Sequence, residues 1–285
     1  MTTINYMNQT VLITGASSGI GRVFAQTLAA RGAHLLLLAR SGAVLDSLAA
    51  ELSRRHGIRA HALVADLSLP GAARDAHAQA CALGMPPDVL VNNAGFATHG
   101  RFENIDLARQ ASEVAVNCTA LMELTHCALP HMLAQGRGAI INVASTAALQ
   151  PDPYMAVYGA SKAFVLAFSE ALWAENRRRG VRVLALCPGA TDTAFFDVVA
   201  APEAAVGRRM APQAVVDAAL RALDQGRSSH VAGRQNRLLA WLPRLLPRET
   251  VLRIVENMLR PGLNAGRPCF SPACAPRRRP SGRAR

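Results

Sequence analysis

Lysine is almost missing from this 285-residue sequence. Of 31 Lys and Arg residues, one is lysine, Lys162, and the other 30 are arginine. A lysine kept against such a preference marks a position where an ammonium does something a guanidinium cannot. Long apolar runs are missing too: no stretch of roughly 18 uninterrupted apolar residues occurs, so no membrane-spanning helix is expected. The opening residues, MTTINYMNQT, hold no positive region followed by an apolar core, which argues against a secretory signal. Six cysteines, Cys81, Cys118, Cys127, Cys187, Cys269 and Cys274, form no CxxC pair and no histidine cluster with zinc-ligand spacing. They read as reduced, buried thiols of a cytoplasmic protein, and no metal site is expected.

Negative charge is scarce, but only at one end. The formal net charge is +12. Residues 1–225 hold 18 Lys and Arg against 17 Asp and Glu, whereas residues 226–285 hold 13 arginines against Glu249 and Glu256. The body is therefore near neutral and the basicity belongs to the tail. No aromatic-basic surface or reading motif accompanies that tail, so specific nucleic-acid binding is not expected.

What is present is a regular alternation. Short apolar runs, TVLIT, HLLLLAR, RAHALVA, DVLVNN, GAIINVAS and VRVLALCPG, are separated by alanine-rich helical segments. This predicts βαβ units and a Rossmann-like, doubly wound parallel sheet of about seven strands, the last near SSHVAG, with helices on both faces. The runs are apolar throughout, as strands covered on both faces should be. The expected organisation is a catalytic domain over 1–235, a helical extension over 236–260 and a basic, disordered tail over 261–285. Within the extension, Trp241 among leucines and arginines suits a helix lying on a membrane surface. Packing against the body or a neighbouring subunit is the favoured alternative, since prolines shorten any helix there.

Directly after the first strand stands TGASSGIGR. Gly15, Gly19 and Gly21 let the backbone turn tightly and approach a pyrophosphate, and Ser17, Ser18 and Ile20 lead into a helix whose free N–H groups favour an anion. About 20 residues on, where an acid would take ribose hydroxyls, stand Ala39 and Arg40. A guanidinium there can pair with a 2′-phosphate, which favours NADP(H) over NAD(H). Asp66 and Leu67, after the third strand, are placed to contact adenine. Asn93, Ala94 and Gly95 end the fourth strand at the carboxyl edge, where ligands sit in such sheets.

Tyr158 and Lys162 lie one helical turn apart, about 6 Å along the axis, on one face. A neighbouring ammonium should lower the phenol's pKa and make a tunable acid/base. Ser145, at the end of the fifth strand, can hydrogen-bond a substrate oxygen. Five histidines, His61, His77, His99, His126 and His131, show no partner spacing and read as solvated or incidental. Asp152, ahead of the tyrosine helix, reads as a helix cap. Arg177–Arg179 read as a solvated helix end.

TGASSGIG, NNAG, the Asn of AVNCT, the Ser of NVAST, YGASK and PGATDT stand in the order of the short-chain dehydrogenase/reductase family, which residues 8–235 resemble. The resemblance implies that Tyr158 is the acid/base, that Lys162 lowers its pKa and holds the nicotinamide ribose, and that Ser145 polarises the carbonyl. It implies that Asn117 holds a helix open around a proton-relaying water, and that Pro188, Gly189, Thr191 and Thr193 flank the nicotinamide and diphosphate. The expected activity is NADP(H)-dependent interconversion of a ketone and a secondary alcohol. The apolar segment 192–207 suggests a hydrophobic substrate. A homodimer or homotetramer is expected, with weak peripheral contact to the inner face of a membrane as a further option. A non-catalytic nucleotide-binding regulator of the same fold is the rival reading.

Overall fold

A computed structural model describes residues 3–195, 199, 209–240, 243 and 245–261. Most of the apolar segment 192–207, Trp241, Cys269, Cys274 and the basic tail beyond Pro261 therefore lie outside the described residues.

Seven parallel strands form one sheet in the order β3-β2-β1-β4-β5-β6-β7. They are β1 Thr10–Thr14, β2 His34–Ala39, β3 Ala60–Val64, β4 Val89–Asn92, β5 Gly138–Val143, β6 Val181–Cys187 and β7 Ser229–Val231. The helices are α1 Gly19–Ala29, α2 Gly42–His56, α3 Ala72–Ala82, α4 Leu107–Val114, α5 Leu121–Ala134, α6 Ala156–Asn176, α7 Pro212–Asp224, α8 Arg234–Leu239 and α9 Arg248–Leu259. A wide turn of π-helix, Ala115–Ala120, joins α4 to α5 without a break.

Two apolar layers sandwich the sheet. Alternate residues of β1 point to opposite faces: Val11 and Ile13 join residues of α1, α2 and α7, whereas Leu12 joins residues of α3 and α5. This two-sided burial explains why the central strands read as unbroken apolar runs. The margins do not follow it. Val64 of β3 is 57% exposed, and β7 is half-buried throughout. Edge strands have a neighbour on one side only, and the flanking helices cover them incompletely.

The helix ends are legible locally. Gly57 closes α2 at φ +66°, returning its N–H to the Ser53 carbonyl, and Arg54, Arg55 and His56 complement the dipole of the last turn. Pro212 opens α7, where its missing N–H costs no hydrogen bond. In α9, Val251 and Leu259 are buried, and His99 Nε2 lies 2.7 Å from the Leu259 carbonyl. α9 thus packs on the body, and His99 is a tether rather than an incidental histidine.

The strand order reverses between β1 and β4. Chains leaving the carboxyl ends of these two strands diverge and leave a crevice, the usual ligand position in such sheets.

Candidate active site

The floor of the crevice is the β1–α1 loop. Gly15 and Gly19 have φ of +65° and +54°, a region that side chains disfavour. A Cβ on Gly15 would lie 2.8 Å from Asn93 Nδ2, and one on Gly21 would collide with the Gly15 carbonyl. The loop is bound to the β4 end. Asn93 Nδ2 donates to the carbonyls of Thr14 and Gly15, and Thr14 Oγ1 accepts from the N–H groups of Asn93 and Ala94. Asn93 therefore braces the loop as well as bordering the cavity. Ser18 precedes α1 but makes no side-chain cap bond, and the first turn carries no acid. Its N–H groups remain available to an anion, so the cradle fits a dinucleotide pyrophosphate.

Arg40 is exposed just past β2. Asp66, after β3, accepts from the N–H (3.0 Å) and hydroxyl (2.7 Å) of Ser68. These bonds hold its carboxyl below the usual range, with a smaller contribution from Arg40. Leu67 beside it is buried.

Asn117 sits in the π turn. Its side chain accepts from the Phe96 N–H (3.2 Å) and donates to the Phe96 carbonyl and to Ser161 Oγ, both at 3.0 Å. A Cβ on Gly95 would fall 2.9 Å from Asn117 Oδ1 and 3.3 Å from Lys162 Nζ, so only glycine lets this chain pass. The local widening of the helix places Asn117 where one side chain reaches both the β4 loop and α6.

Tyr158 and Lys162 are buried on one face of α6, 8% and 4% exposed. Lys162 Nζ donates to the Val143 carbonyl at 2.8 Å and stands 5.7 Å from the Tyr158 ring centre. Ser145 hydrogen-bonds the phenol, and its Oγ also accepts from the Ala147 N–H at 3.1 Å. One expectation is corrected here. Burial raises the Tyr158 pKa, and the Ser145 bond offsets this only in part. Burial likewise lowers that of Lys162 to about 8. Desolvation disfavours both charged forms and is the largest effect on each.

The chain leaving β6 closes the other side. Thr193 Cγ2 lies 3.1 Å from where a Cβ on Gly19 would be, so this segment meets the glycine loop across the crevice. The Pro188 carbonyl accepts from the Thr146 N–H, and Thr191 Oγ1 donates to the Gly189 carbonyl. Gly189 itself passes tightly beneath Asn236.

Asn93, Gly95, Ser145, Tyr158, Lys162, Pro188, Gly189, Thr191 and Thr193 line one cavity of about 340 Å³. Gly15, Ser17, Ser18, Ile20, Gly21, Arg40, Asp66, Leu67, Ala94 and Asn117 lie outside its lining. Sequence reasoning missed the opposite wall, which α9 builds from Val251, Ile254, Val255, Met258 and Leu259. Their near-helical apolar spacing was the available signal. It also misread Asp152. The cap of α6 is Met155, with no side-chain cap bond, and Asp152 is buried in the cavity wall. Cys81 is exposed rather than buried, whereas burial pushes the Cys187 thiol up to about 12, which leaves it inert. Among the described residues no cluster could hold a metal ion.

Residues 9–204 match the family model for short chain dehydrogenases. Sulfoacetaldehyde reductase 2 of Chromohalobacter salexigens is 39% identical over 197 residues, 66% of this chain and 75% of that protein. Ketoacyl reductase HetN of a Nostoc species is 33% identical over 249 residues, 86% of this chain and 85% of its own. A solved short-chain dehydrogenase from Sphingobium yanoikuyae in complex with NADPH superposes with a TM-score of 0.73 at 34% identity, covering 86% of this chain and 95% of that one. The parallel sheet, the glycine cradle and these likenesses agree, and the chain belongs to the short-chain dehydrogenase/reductase family of oxidoreductases acting on CH–OH and C=O groups.

Proposed function

We propose that this protein is an NADP(H)-dependent reductase that converts a hydrophobic ketone to a secondary alcohol, with Tyr158 as its acid. The observation that carries this reading is the convergence of Ser145, Tyr158 and Lys162 on one largely apolar cavity. The glycine loop and the first N–H groups of α1 would hold the diphosphate, and Pro188–Thr193 would flank the nicotinamide. Arg40, with no acid in the LLLLARSGA segment around it, would pair with the 2′-phosphate. The bound nucleotide supplies the hydride. The Ser145 hydroxyl donates a hydrogen bond to the carbonyl oxygen, and the Tyr158 Oη transfers its proton to that oxygen as negative charge develops there. A phenol whose pKa burial has raised is fully protonated near neutral pH, the form that reduction requires. Lys162 holds the ribose and returns a proton toward the phenol, with Asn117 fixing the turn beside it.

Exposed Val114, Met122 and Phe164 on α4, α5 and α6 support homo-oligomer formation. Exposed Leu238, Leu245 and Ile254 near Arg237, Arg248 and Arg253 support weak contact with an anionic membrane. No described helix is long and apolar enough to cross one. The deciding experiment is turnover of the purified protein on apolar ketones with NADPH and with NADH in parallel. NADPH-dependent reduction is expected; failure with every ketone overturns the reading.

A further inference from the structure

A buried acid stands in the cavity wall without an ion-pair partner among the described residues. Asp152 is 6% exposed. Its Oδ1 accepts from Gln150 Nε2 at 3.2 Å, whereas Oδ2 has no protein partner among the described residues. The carboxyl packs against the first turn of α6, with Oδ2 3.1 Å from where a Cβ on Gly159 would be. Gly159 follows Tyr158 directly, so the acid flanks the tyrosine's own turn. No ion pair reaches Asp152 among the described residues, and Asp152 and Glu113 both disfavour an ionised Tyr158, although Lys162 Nζ stands 5.7 Å from its ring centre. Burying a carboxyl in the wall of a cavity that Met155, Val255 and Leu259 also line is costly unless something hydrogen-bonds it.

The fold gains little from this side chain. It does not cap α6, and its turn is closed by the backbone, where the Asp152 carbonyl accepts from the Met155 N–H. Glycine at 159 leaves the carboxyl the room it occupies. An acceptor in the wall of a mostly apolar cavity is the arrangement expected of a ligand subsite, where few polar groups fix orientation.

We propose that Asp152, supported by Gln150, is the specificity-determining subsite of this cavity, and that the preferred substrate is an apolar ketone bearing a hydroxyl or amino group that donates to Asp152. This rests on the reductase reading above. Burial raises the Asp152 pKa to about 7, so near neutral pH a substantial share of the carboxyl is ionised and accepts. Because the acid adjoins the Tyr158 turn, the donor and the reacting carbonyl belong to one compact molecule.

The test uses the full-length protein with NADPH and matched ketones. 4-Hydroxycyclohexanone and 4-aminocyclohexanone are compared with 4-methylcyclohexanone, and 4-(4-hydroxycyclohexyl)cyclohexanone with its methyl analogue, to cover a short and a longer reach. The quantity read is the ratio of kcat/KM, donor over methyl. A hydrogen bond to a charged group implies a ratio of about ten to a hundred in the parent. Asp152→Leu should bring the ratio to about one or below, and Asp152→Asn should lower it most for the amine. A parent ratio near one at both lengths overturns the proposal without reference to any variant. So does a folded variant, judged by melting and by NADPH fluorescence, that loses both members of a pair alike. If the parent reduces no ketone at all, the reductase reading itself has failed, a result separate from a flat ratio.

Discussion

Tyr158 and Lys162, the side chains proposed to act here, both sit against a desolvation cost. Replacing Tyr158 with Phe removes one oxygen and keeps the ring's packing against Phe195, whose centre lies 5.7 Å away. We expect turnover to fall by at least about 100-fold, the usual worth of general acid catalysis, while NADPH affinity measured by fluorescence changes little. Lys162→Arg keeps the charge and tests the solitary lysine. The buried ammonium donates to the Val143 carbonyl at 2.8 Å, and a longer planar guanidinium is not expected to keep that bond in the same space. We expect a severe loss of activity; rates within a few-fold of the parent would refute the geometric argument. Asp152 gives a pH-dependent stability effect. Its pKa rises from 3.8 unfolded to about 7 folded, so the folded state binds the proton more tightly. Stability from this group is complete below about pH 4, declines as pH rises toward 7 and stays reduced above. Asp152→Asn should therefore raise the melting temperature by a few degrees at pH 8, and the gain should shrink by pH 5.

Among the elements, the end of the second strand carries the proposed preference for NADP(H). β2 ends at Ala39, and Arg40 extends from it into solvent. Arg40→Asp removes a phosphate partner and adds repulsion toward that phosphate. Steady-state kinetics should show a preference shifted from NADPH toward NADH by about tenfold or more, and unchanged constants for both would make Arg40 a bystander. The β1–α1 loop is different in kind. Its glycines are required by neighbours distant in sequence: Asn93 behind Gly15, Thr193 beside Gly19 and the Gly15 carbonyl beneath Gly21. Their spacing was legible, but what presses on each was not.

On the scale of the whole molecule, the last described helix completes a cavity begun by the strand ends. α9 brings Val251, Ile254, Val255, Met258 and Leu259 to the side opposite Ser145 and Tyr158, with His99 holding the Leu259 carbonyl. A chain ending at Gly233 loses that wall. We expect KM for apolar ketones to rise at least tenfold, with nucleotide affinity less affected because the glycine loop packs against Asn93, Ala94 and Thr193, all of which the shortened chain keeps. Melting curves of both forms, with kinetics on one short and one bulky ketone, check this. If the bulky ketone keeps its KM in the shortened chain, the wall does not shape the substrate.

The sequence by itself determined the order of strands and helices, because two-sided burial writes itself as apolar runs and helices as alanine-rich intervals. It also put Tyr158 and Lys162 on one helical face and the glycines in one loop, both short-range facts. Tertiary structure decided the rest. The π turn that carries Asn117 depends on packing between α4, α5 and α6 and has no local code. Asp152 looked like a cap because caps are local, yet it was buried by contacts around it that no spacing reveals. The direction of the Tyr158 shift followed in the same way: charge proximity can be counted along a helix, but desolvation depends on everything folded around the phenol, and here desolvation is the larger effect.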